Sequence, residues 1–419
     1  MTFLLWTVTA CSWVHNSAKS SDQARSVSLV ESSIDIEIAK LEKKIKEENI
    51  DITPYLSLSL LYLQKIRETA DIGYYAKVDD LIAESRIIDP KNPDILALQS
   101  QVAIGRHHFK SGNELIQKSI IMNSKRAMYY GILWDTQIEL GEYTGAVDSF
   151  QKMIDLRPDY NSYIRIAYIR ELYGDIAGAK NSIKLAIDAG SKHPENIAFA
   201  YVELWKLDLR DNLENAKLDF DMALKIVPEY PPSLEGLGKV AYFQQNPVLA
   251  RSYFEKAYTA LPIVQYWINL INLDLIEGKT LEANQKMTIV KLTFDTTAKS
   301  GIDNDLEESL FLSNHGLELA MALEKAKKAY ESRPNIYAAD NLSWALYKNN
   351  QFSEAATYTR DTLRLGEFDS LILYHQGLIA LKNGNSKIAK KYLSKALAIH
   401  PYFWILESQK AKDTLSTLK

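Results

Sequence analysis

Two short amphipathic segments joined by a turn recur along this chain at intervals of about 34 residues, and that period decides between several globular domains and one long solenoid in favour of the solenoid. The clearest copy runs from Pro232 to Pro262, PSLEGLGKVAYFQQNPVLARSYFEKAYTALP. Leu234, Leu237, Gly238 and Ala241 fall on one face of a first helix; Ala250, Phe254, Ala257 and Leu261 fall on one face of a second. Between them Asn246 is a good N-cap, and Pro247 takes the first helical position, where a missing N–H costs nothing. Pro262 stops the second helix. Gly238 and Ala250 are small where the helices must cross, so the backbones approach while Phe254 fills the space beside them.

These residues resemble the tetratricopeptide repeat, with Leu-Gly, Ala-x3-Phe and a closing Pro in register, although Leu234 and Ala241 stand where that family prefers aromatics. About ten units start near Ser59, Pro93, Ala127, Tyr160, Ile197, Pro231, Val264, Asp303, Ile336 and Ser370. Pro90, Pro158, Pro228, Pro262, Pro334 and Pro401 close units and set the register. The resemblance implies an all-α fold, a right-handed superhelical solenoid of about ten helical hairpins over residues 54–402. A leading helix is expected over 30–53, from Ile34, Ile36, Ile38, Leu41 and Ile45, and a capping helix over 403–419. Two spacings depart from the rule. Extra residues at Gly190 to Pro194 lengthen one turn between units, and Thr296 to Asp305 reads as a polar linker.

A formal charge of −4 spread over 419 residues leaves no basic footprint for nucleic acid. No stretch is apolar for 18 residues, so no membrane span is expected. The single cysteine, Cys11, ends the apolar opening MTFLLWTVTAC. Val8-Thr9-Ala10-Cys11 looks like the lipobox of a bacterial lipoprotein signal, which implies residues 1–11 as signal segment, lipidation at Cys11 and a Ser-rich tether over 12–29. A misplaced start codon and an ordinary cysteine are the alternatives, because no Lys or Arg precedes the run. The lipoprotein reading places the protein in the cell envelope, facing the periplasm or exterior; the alternative is cytoplasmic.

Sites of chemistry are sparse. Gly278-Lys279-Thr280 resembles the end of a phosphate loop, but Leu273 stands where its first glycine belongs, and the position suits a hairpin turn. His107 and His108 are adjacent, so they point to different helix faces without metal-ligand spacing, and solvation is expected for both. Glu307 and Glu308 lie in a charged segment that reads as a solvated face. One cysteine supports no thiolate cluster, and no Gly-x-Ser-x-Gly elbow occurs. No enzyme, metal or cofactor is expected.

What remains is a surface. Along the first helix of one unit, Tyr337, Asp340, Trp344 and Tyr347 form a stripe beside the hairpin-packing residues Ala339, Leu342, Ser343 and Leu346. The same face elsewhere carries Tyr168, Tyr201, Trp205, Tyr242, Phe311 and Tyr374. The resemblance implies that this face lines a concave groove, where rings offer rigid contact area to a bound segment. Packing against the adjacent unit's first helix accounts for the same rings equally well. Asn269 and Asn341 fall where some tetratricopeptide proteins grip a peptide backbone; Ile132, Arg165, Val202, Gly236 and His375 occupy that place in other units, so no amide ladder runs through. The expected partner is a protein or peptide, and the expected role an interaction scaffold. The alternative is a structural component of an envelope machine for secretion, pilus assembly or exopolysaccharide export.

Overall fold

The computed structural model describes residues 33–47, 50–191, 193–210 and 213–418; the lipobox, Cys11 and the tether lie outside them. Among the described residues there are helices and no strands. After α1 (Ser33–Glu47) come ten hairpins, numbered here as units 1 to 10. Units 1 to 5 are α2 (Thr53–Thr69) with α3 (Tyr74–Ile88), α4 (Pro93–Gly105) with α5 (Phe109–Met122), α6 (Ala127–Glu139) with α7 (Tyr143–Leu156), α8 (Tyr160–Leu172) with α9 (Ile176–Ala189), and α10 (Pro194–Asp208) with α11 (Leu213–Ile226). Units 6 to 8 are α12 (Pro231–Phe243) with α13 (Pro247–Ala260), α14 (Val264–Ile276) with α15 (Thr280–Lys299), and α16 (Asp305–His315) with α17 (Leu319–Ser332). Unit 9 pairs α18 (Ile336–Lys348) with a second helix split at Tyr358 into α19 (Phe352–Thr357) and α20 (Thr359–Thr362). Unit 10 pairs α21 (Ser370–Lys382) with α22 (Ser386–Ile399), and α23 (Glu407–Thr417) covers the end.

Local chemistry accounts for most boundaries. Asn92, Asp159, Asp175, Asn246, Asn335, Asp369 and Asn385 each accept a backbone N–H in the first turn of the helix that follows. Gly238 sits at the helix crossing of unit 6, where an added Cβ would overlap the fully buried Phe254 ring. The turn at Gly278 has φ +72°, and Thr280 opens α15, so Gly278-Lys279-Thr280 is a hairpin turn.

Several boundaries differ from the sequence reading. Unit 1 starts at Thr53 with Pro54 in its first turn, not near Ser59. Unit 5 starts at Pro194, not Ile197, so the extra residues lengthen α10 instead of a turn. The expected linker from Thr296 is helical to Lys299, because nothing breaks the helix before Gly301 and Thr297 is buried with its hydroxyl bonded to Asn304 Nδ2 at 2.6 Å. The last helix begins at Glu407, not at 403. Residues 401–406 instead cross to units 6 and 7, where Tyr402 meets Phe243 at 5.0 Å and Ile405 packs with Leu270 and Leu273.

That crossing is one part of a seam. The hairpin turn of unit 2 meets the loop into unit 8: Asp303 donates its N–H to Arg106 O at 3.0 Å, and His107 Nδ1 lies 2.7 Å from Asp303 O. The turn of unit 3 meets the loop into unit 9, where Ile336 donates its N–H to Tyr143 Oη at 3.0 Å. Tyr168 of unit 4 packs in one cluster with Ile336 and Ile372 of units 9 and 10. These contacts join units five or six apart, so about six hairpins complete a superhelical turn and the next turn docks on the first. The seam also corrects the solvated reading of three residues. His107 is buried there, Glu307 takes Arg333 at 2.9 Å, and Glu308 is buried and paired with Lys325 at 3.1 Å.

Candidate functional site

A solenoid that meets itself narrows its concave face to a lumen. The first helices of the units surround a cavity of about 870 Å³, reached by residues of α2, α8, α10, α12, α14, α16, α18 and α21 and by the 400–404 segment. Tyr168, Trp205, Tyr337 and Asn341 line it.

The remaining residues expected on a groove are placed otherwise. Asn269 is buried and donates Nδ2 to Glu235 at 3.0 Å, inside the interface between units 6 and 7. Phe311 is buried against Phe294, and Tyr374 lies 5.9 Å from Phe403. Trp344 is 5% exposed, stacked on His375 at 4.0 Å and on Tyr347 at 4.9 Å, with Nε1 donating to Asn314 at 2.8 Å. Its stripe does turn inward, but α23 covers this end of it, with Ala411 and Leu415 in the same cluster. Tyr201 and Tyr242 are half-buried within the apolar clusters of units 5 and 6.

The cavity wall is polar and uneven in charge. Seven carboxylates line it, Glu37, Glu68, Glu171, Glu195, Glu235, Asp340 and Asp369, against four cations, Arg67, Lys206, Arg210 and Lys239. Three cations are held: Arg210 by Glu171 at 2.5 Å, Lys239 by Glu235 at 2.6 Å, and Lys206 by Glu203 at 2.5 Å. Burial opposes ionisation of Glu235, but Lys239 and Asn269 outweigh it and hold its carboxyl below the ordinary range. Glu68 goes the other way: burial raises it against the hydrogen bond from Gln64, and Glu195 adds to the rise. His400 is pushed down to about 3 by burial, Arg210 and Lys239, so it adds no positive charge at neutral pH.

Four side chains on this wall have a buried atom with no close hydrogen-bond partner: Trp205 Nε1, Arg210 Nε, Tyr230 Oη and Asp340 Oδ1. Burial lifts the Tyr230 hydroxyl well above its usual pKa, so it stays a donor. Asp340 is 4% exposed; its other oxygen lies 2.7 Å from Nδ1 of the fully buried His375. Three such donors and one acceptor suit binding, since buried polar groups without partners cost stability unless something satisfies them. Among the described residues no group of three or more His, Cys, Asp or Glu is placed to hold a metal. Tyr230 escaped the sequence reading because it precedes its helix and so belongs to no stripe.

Ten stacked two-helix units with small residues at the crossings define a solenoid of tetratricopeptide-type hairpins. No family model matches the sequence, and no curated protein does. Among solved structures, similarity is found to yeast Tom70, 15% identical over 92% of this chain and 92% of that one, with a TM-score of 0.42. It is found also to human IFIT1, as a dimer with m7Gppp-AAAA, 12% identical over 86% and 84% of the two chains, TM-score 0.48. PilW, a type IV pilus biogenesis factor, is 12% identical over 49% of this chain and 94% of its own, TM-score 0.40. Likeness at this level carries no functional argument.

Proposed function

We propose that the protein is a non-enzymatic interaction scaffold that holds an extended segment of a partner protein in its central cavity, and that a lipid on Cys11 anchors it in a bacterial cell envelope. The cavity carries this reading: at about 870 Å³ it falls in the range of about 300–1,000 Å³ typical of ligand sites, and its wall presents buried donors and an acceptor that lack partners. The anchor rests on the lipobox-like Val8-Thr9-Ala10-Cys11. No described helix is long and apolar enough to cross a membrane.

A photo-crosslinking residue in place of Tyr337, on the cavity wall, tests the reading in the native cell. A discrete crosslinked partner is expected there and none from the same residue at Val248, which is 80% exposed on α13. The reverse pattern favours the envelope-assembly reading, which rests on apolar side chains presented outward by the second helices, Leu218, Val248 and Leu281. Cys11→Ser is expected to move the protein from the detergent phase to the aqueous phase and to abolish fatty-acid labelling; unchanged partitioning removes the anchor.

A further inference from the structure

On the reading that the cavity holds a partner segment, we infer that this segment presents a lysine or arginine side chain to Asp340. Two sets of observations lead there. The first is the carboxylate itself. Asp340 lines the cavity, held by α18 and by His375 at Oδ2 with Gln376 also favouring its carboxylate, and its buried Oδ1 makes no close hydrogen bond. An ammonium or guanidinium group donates to such an oxygen with a charge-assisted bond, which a neutral amide matches only weakly. The wall around it is short of positive charge. Burial and the lining Asp369 oppose ionisation of Asp340 while His375 and Gln376 favour it, and burial and Glu195 oppose ionisation of Glu68. Arg67, next in sequence to Glu68, is the one lining Lys or Arg without an ion pair among the described residues. Carboxylates gathered in a space of low polarity repel one another, and a bound cation relieves them. A phosphate-bearing ligand meets the opposite field.

The second set identifies the carrier of the cation. Trp205 Nε1 and Tyr230 Oη are buried donors on the same wall, in one apolar cluster with each other. They require acceptors. Main-chain carbonyls of an extended polypeptide supply them, whereas a small polyamine carries donors only. The apolar part of the wall, including Leu310 and Phe403, suits the methylene stem of a lysine or arginine.

Synthetic nonapeptide libraries, randomised except for a fixed central residue, test this on the full-length protein. Sublibraries with central Lys or Arg are expected to bind about tenfold or more tightly than those with norleucine or citrulline, which keep the stem and lose the charge. Asp340→Asn, in protein shown by its melt to be folded, is expected to bring that ratio to near one. Trp205→Phe keeps the ring on Phe220 and loses the donor, and is expected to weaken all sublibraries alike. The comparison of Lys with norleucine needs no variant, so it stands even if Asp340→Asn fails to fold. Equal binding of all sublibraries, or selection of central Glu, overturns the cation while leaving a peptide in the cavity. Retention of spermidine with no sublibrary retained overturns the polypeptide carrier, and retention of neither overturns the cavity reading as well.

Discussion

Asn335 donates its side-chain N–H to the main-chain carbonyl of Glu139 at 3.0 Å, joining unit 9 to unit 3 across 196 residues of chain. The same side chain caps α18, its Oδ1 accepting from Tyr337 and Ala338. One residue thus starts a helix by a local rule and closes the superhelix by a distant one. Arg333 beside it is 1% exposed and reaches Glu307 at 2.9 Å, with Glu139 at 3.8 Å.

The seam makes Gly141 irreplaceable for two reasons. Its φ is +70°, and an added Cβ would overlap the Arg364 guanidinium and come within 2.6 Å of Pro334 O. Gly384 has φ +79° with nothing within 4 Å, so it isolates the conformational cost, about 1–2 kcal/mol. Gly141→Ala is expected to cost about 1–3 kcal/mol more than Gly384→Ala. Thermal melts give the difference, and small-angle scattering of Gly141→Ala is expected to show a larger radius of gyration. Equal losses remove the seam as a source of stability.

Glu139 supplies a pH signature. Burial lifts its pKa to about 8; Arg333 opposes the rise, and Glu307 and Asp135 add to it. The folded state therefore binds this proton more tightly than the unfolded chain. The contribution is full below about 4.5 and fades as pH rises through about 8. Glu139→Gln keeps the carbonyl that accepts from Asn335 and cannot ionise. Its melting temperature relative to wild type is expected to rise between pH 5 and pH 8.5; parallel profiles would show that the carboxyl titrates normally.

Gly238→Leu is expected to cost about 1–3 kcal/mol despite the better helix propensity of leucine, because Phe254 is fully buried and cannot move aside. A neutral or higher melting temperature would mean that unit 6 packs differently.

Trp344 and Trp205 are expected to separate. Trp344→Ala removes a ring held between His375 and Tyr347 and leaves Asn314 without its donor, so a loss of about 3–5 kcal/mol is expected, with most helical circular dichroism retained. Trp205→Phe retains contact with Phe220 and is expected to melt near wild type. Similar melts for both variants would place Trp344 on an open surface.

The hairpins were legible in the sequence because their determinants lie within about 34 residues: Asn246 before Pro247, Gly238 opposite Phe254, Pro334 before Ile336. Of the stripe Tyr337, Asp340, Trp344 and Tyr347, helical spacing leads the first two to the cavity, while Trp344 and Tyr347 pack in the cluster under α23. Local spacing carried no information about the superhelical turn, which sums small rotations at every interface between units. That sum brings unit 3 to unit 9. It buries His107 and Arg333 in the seam, places α23 over Trp344, and turns an open groove into a cavity lined by Tyr230, Trp205 and Asp340. Residues separated by six units share no period, turn or cap. Only their meeting in space assigns them a common role.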